Sequence, residues 1–90
     1  MKRTHKKRIQ YHFVEEIEIN QKKEPVAITV YEIHDGTSRF RVSINEGPIH
    51  VFGLNNEQTH YVEIDGSRID PLSEHAKRAI NLLLQRKIAA

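Results

Sequence analysis

Residues 26–44 read VAITVYEIHDGTSRFRVSI, and the register of this stretch decides the fold. Val26, Ile28 and Val30 alternate with Ala27, Thr29 and Tyr31, and Phe40, Val42 and Ile44 alternate with Arg39, Arg41 and Ser43. Each run has the period of two of a half-buried strand. A two-residue turn at Asp35–Gly36 would set Val30 opposite Arg41 and Ile28 opposite Ser43, mixing apolar and polar rows. A three-residue loop of His34, Asp35 and Gly36 instead pairs Val30 with Phe40, Ile28 with Val42 and Val26 with Ile44. It also places Gly36 at the left-handed position that such loops favour. The three-residue loop is therefore expected. On the opposite face it sets Tyr31 beside Arg39 and Thr29 beside Arg41.

Working outward, Ile9, Tyr11, Phe13, Ile17 and Ile19 give a long first strand, with Glu15 breaking the apolar row. A bulge near Val14–Glu16 that turns Glu15 to solvent is the simplest account of that break. Asn20 to Pro25 reads as a polar connection. Asn45 to Pro48 reads as a turn, Ile49–Leu54 as a fourth strand, and residues 60–65 as a fifth. At Asp70 the apolar period changes from two to 3.6. Asp70 suits an N-cap and Pro71 the first helical position. Leu72, Ala76, Ala79, Ile80, Leu83, Leu84 and Ile88 then form one apolar stripe over residues 71–88. The expected fold is α+β: a four- or five-stranded antiparallel meander followed by one C-terminal amphipathic helix packed on one face. Residues 9–90 read as a single domain behind a flexible basic tail, residues 1–8.

Charge divides the chain into three regions. Residues 1–8 carry +5, residues 9–70 carry −6 and residues 71–90 carry +3, which gives the net +2. The pI near 9.0 thus comes from the two ends and not from the body. There is no cysteine, so disulfides and thiolate metal sites are excluded. No run reaches the roughly 18 apolar residues of a membrane span, and no apolar segment follows the basic start as in a secretory signal. A cytoplasmic protein that does not enter membranes is expected.

Candidate binding residues are Lys2, Arg3, Lys6, Lys7 and Arg8 in the tail, with Tyr31, Arg39 and Arg41 on the sheet. Lysines and arginines lower the cost of approaching phosphates, and a tyrosine among them offers a face to a base. Glu16 and Glu18 on the same parity of the first strand oppose this. The six histidines form no metal-ligand spacing, although His50 and His60 fall on strands that would be neighbours. No phosphate loop or nucleophile elbow is present. No enzyme activity, metal or cofactor is expected.

The order of elements resembles the layout of single-strand-binding coactivator and PUR-type modules. That resemblance implies nucleic acid on the sheet and dimerisation through the helix. The sequence-level expectation is therefore a small binding protein for nucleic acid, or for another acidic partner reached through the tail. The alternative is a regulator or inhibitor whose acidic body meets a basic protein. A homodimer that covers Tyr31 and Ile33 on the outer sheet face is also expected to be compatible with the fold.

Overall fold

Gly36 takes a φ of 87°, and the three-residue loop forms as expected. Gly36 N–H donates to Ile33 O and Ile33 N–H to Thr37 O, both at 2.9 Å. Val30 pairs with Phe40, Ile28 with Val42 and Val26 with Ile44. The computed structural model describes residues 8–88; Lys2, Arg3, Lys6 and Lys7 lie outside the described residues.

Around this hairpin the strands are β1 (Arg8–Ile19), β2 (Lys22–Glu32), β3 (Ser38–Ile44), β4 (Ile49–Leu54) and β5 (Tyr61–Asp65), with helix α1 (Glu74–Ile88) following. The sheet order is β1-β2-β3-β4-β5, an antiparallel meander. Val26, Ile28, Val30, Phe40, Val42, Phe52 and Tyr61 face α1 and are buried with Ala76, Ile80, Leu83 and Leu84. The rings of Phe40 and Tyr61 meet edge to face at 5.1 Å. This single core holds the fold together.

Three local expectations are corrected. Asn20 and Gln21 both adopt left-handed φ, at 54° and 66°, so they form a tight two-residue turn. Lys22–Pro25 therefore belongs to β2 and not to a polar connection. Pro25 fits because its carbonyl accepts from Asn45 N–H at 2.7 Å. Its nitrogen points to the same side, where β3 has already ended, so no ladder bond is lost.

The β1 bulge lies between Ile9 and Tyr11, not near Val14–Glu16. Glu15 stays in register opposite Val26, in the row that faces the helix. Its charge is met there by Lys87 at 2.8 Å and Arg86 at 3.0 Å, from the last turn of α1. A bulge was unnecessary because the helix brings the counter-charges.

The helix starts at Glu74. Its cap is Ser73 and not Asp70: Ser73 Oγ accepts from Ala76 N–H at 3.1 Å. Asn81 Oδ1 accepts from Tyr61 N–H at 2.8 Å, and Gln85 donates to Thr59 O at 3.1 Å. The helix thus spans from β5 to β1.

Ile80→Ala is expected to cost about 2–5 kcal/mol, because a fully buried side chain leaves a cavity. Leu82→Ala, 54% exposed, is expected to change stability by less than about 0.5 kcal/mol. Urea midpoints of the two variants check this. Hydrogen bonds from Lys87 and then Arg86 hold the Glu15 carboxyl below its ordinary value. A lowered folded-state pKa gives stability that is present above the unfolded value and lost as pH falls through the folded one. Between neutral pH and pH ~3, wild type should therefore lose more stability than Glu15→Gln, measured as the shift in urea midpoint.

Candidate nucleic-acid or protein interface

Alternation sends every second residue of the core strands to the face away from α1. On β1 these are His12, Val14, Glu16 and Glu18, and on β2 Lys23, Pro25, Ala27, Thr29 and Tyr31. On β3 they are Arg39, Arg41 and Ser43, with Ile49, Val51 and Gly53 on β4 and Val62 and Asp65 on β5. Ile64 joins them at a bulge in β5, its Cδ1 only 2.5 Å from where a Cβ on Gly53 would stand. Among the described residues no element covers this face.

The face is more aliphatic than the sequence suggests. Val14 is 60% exposed, Ile49 51%, Ile64 50% and Val62 41%. Tyr31, in contrast, is 5% exposed. The guanidinium carbon of Arg41 lies 5.3 Å from the Tyr31 ring centroid. The structure does bring Tyr31, Arg39 and Arg41 together, with Tyr31 opposite Arg39 and Thr29 opposite Arg41. It does not leave the Tyr31 ring as an open platform for a base or as an exposed dimer contact. Ile33 is half-buried. Alternation located these side chains, but the cover over a ring depends on neighbours that alternation does not specify.

Arg39 and Arg41 lie on β3, the middle strand of the five. Among the described residues no carboxylate comes within ion-pair distance of either one. Glu16 and Glu18 pair with Pro25 and Lys23, beyond the end of β3 at Ile44. They sit on the protruding β1–β2 ribbon and do not stand between the arginines and the middle of the face. Arg8, counted with the tail by charge, is the first residue of β1 and pairs with Glu32. The chain therefore enters the sheet at the end where Tyr31 and Arg39 lie.

His50 and His60 are not brought together. His50 is 2% exposed, and its Nδ1 lies 2.7 Å from Glu63 Oε2. Lys77 Nζ stands 3.8 Å from the other Glu63 oxygen, which links this pair to α1. His60 bonds instead with Thr59, at 2.9 Å. Among the described residues no group of three potential metal ligands forms. A cavity of about 550 Å³ opens beside Thr37, Ser38, Asn56 and Ile88, and among the described residues its only titratable side chain is Tyr61. Among the described residues no helix is long and apolar enough to cross a membrane.

The His50–Glu63 pair is a missed element of the fold, legible only once β4 and β5 are aligned. A Cβ on Gly66 would collide with both Glu63 Oε2 and His50 Nδ1. Gly66→Ala is expected to separate the pair and leave a buried polar group unmatched, at a cost of about 1–3 kcal/mol. A urea midpoint equal to wild type would contradict this.

No protein family, curated protein or solved structure matches the chain, so the layout shared with PUR-type modules is one of element order only.

Proposed function

We propose that this chain is a non-enzymatic binding protein that works through the open face of its sheet, and that the face takes a protein. The carrying observation is the set of exposed aliphatic side chains, Val14, Ile49, Val62 and Ile64, on a face that no element covers. Exposed apolar surface gathered on one face marks an interaction site more often than scattered residues do. Nucleic acid is held by cations and by stacking on open rings. This face has aliphatic flanks, and its one tyrosine is buried under an arginine.

Nucleic acid on the same face is the second reading. Among the described residues Arg39 and Arg41 have no ion pair, and Arg8 stands at the same end of the sheet as Arg39. A basic protein that meets the acidic body stands as a further alternative, although part of that charge is matched within the fold. Within residues 9–70, Glu15 is met by Arg86 and Lys87, and Glu63 by Lys77.

The two readings separate with anilinonaphthalene sulfonate, an apolar anionic dye. The full chain is expected to bind it, and Val14→Asp with Ile64→Asp to reduce the fluorescence several-fold at unchanged urea midpoint. Oligo-dT at low salt is expected not to displace the dye. Displacement that fades steeply with added salt would favour nucleic acid. Dye binding untouched by the double substitution would remove the sheet face as the site.

A further inference from the structure

We infer that the partner of the open face is a short amphipathic protein segment with carboxylates at its centre and aliphatic side chains on both flanks. This inference rests on the protein-binding reading of the face and adds the partner's chemistry. The face carries two arginines on its middle strand with aliphatic groups on both sides of them, and its carboxylates, Glu16, Glu18 and Asp65, stand on the outer strands. Arg39 and Arg41 occupy β3, with Val14 two strands away on β1 and Ile49, Val62 and Ile64 on β4 and β5. Two guanidinium groups with no carboxylate within ion-pair distance among the described residues sit among aliphatic groups. Covering them with an apolar surface would strip their water and return nothing. Carboxylates placed over them restore the lost hydration, and a guanidinium can hold a carboxylate in a two-bond fork.

A second copy of the chain fits this face poorly. Two sheets packed face to face share a two-fold axis in the plane of contact, and full overlap runs that axis through the middle strand. Arg39 and Arg41 of each copy would then face those of the other, and like charges brought together across an interface oppose association. Area points the same way. Strands of 12, 11, 7, 6 and 5 residues make a face on the order of 650 Å² in projection, with residues about 3.3 Å apart along a strand and strands about 4.8 Å apart. That is below the roughly 800 Å² that each side of a standard stable interface buries, and the long β1–β2 ribbon makes up more than half of it, so a segment lying across the arginines suits it better than a folded domain.

The test uses the full chain and three labelled probes: an amphipathic peptide of leucine and glutamate, its leucine and lysine counterpart, and oligo-dT. Anisotropy titrations are run on wild type, Arg39→Glu with Arg41→Glu, Arg39→Gln with Arg41→Gln, and Val14→Asp with Ile64→Asp. The Gln pair keeps much of each stem and guards against loss of the Arg41 packing on Tyr31. Wild type is expected to bind the glutamate peptide and not the lysine peptide. The Gln pair should weaken that binding by about tenfold, and the Glu pair should reverse the preference. Equal binding of both peptides, no binding of the glutamate peptide, or tighter binding of oligo-dT overturns the inferred chemistry. A dimer mass by sedimentation that Val14→Asp with Ile64→Asp returns to a monomer overturns it in favour of a second copy. Each of these outcomes leaves the sheet face as the binding surface if Val14→Asp with Ile64→Asp still alters the dimer mass or the binding of whichever probe is held. Probe binding that responds to none of the substitutions removes the face, and the reading beneath it, as well.

Discussion

Gly36, at a φ of 87°, lets a three-residue loop close between Ile33 and Thr37, and that odd number fixes the parity of β2 against β3. Val26, Ile28 and Val30 then share a face with Phe40, Val42 and Ile44, and the helix has an unbroken apolar surface to cover. The same parity gathers Tyr31, Arg39 and Arg41 on the other side. A slip of one residue would bury two arginines and expose three core side chains. The core and the candidate interface are therefore two results of one constraint.

The parts of the fold that were legible in the sequence are those set by near neighbours. The hairpin register follows from alternation and one glycine. The helix follows from its apolar stripe, and Ala76, Ile80, Leu83 and Leu84 are its buried residues. What was not legible depends on distant partners. Glu15 looked like a defect in an apolar row because its counter-charge, Arg86, lies 71 positions away. His50 looked independent until the bulge in β5 placed Glu63 beside it. The turn at Asn20–Gln21 was hidden because glutamine stands where glycine usually marks a left-handed residue.

The candidate site divides in the same way. Alternation placed Tyr31, Arg39 and Arg41 on one face, and the structure keeps them there. The burial of Tyr31 and the exposure of Val14, Ile49, Val62 and Ile64 reverse the balance between aromatic and aliphatic groups that the sequence suggested. That reversal moves the functional reading from nucleic acid toward protein. The acidic residues of β1 matter less than their charge implied, because Glu16 and Glu18 lie past the end of β3.

The central claim is that the molecule meets its partner with the side of the sheet that the helix leaves open. Methyl-resolved NMR of the full chain, titrated with the leucine and glutamate peptide, tests this most directly. The account predicts shifts at the methyl groups of Val14, Ile49, Val62 and Ile64, with those of Ile80 and Leu84 unmoved. Shifts centred on Leu82, on the outer side of the helix, with the four sheet residues silent, would contradict it.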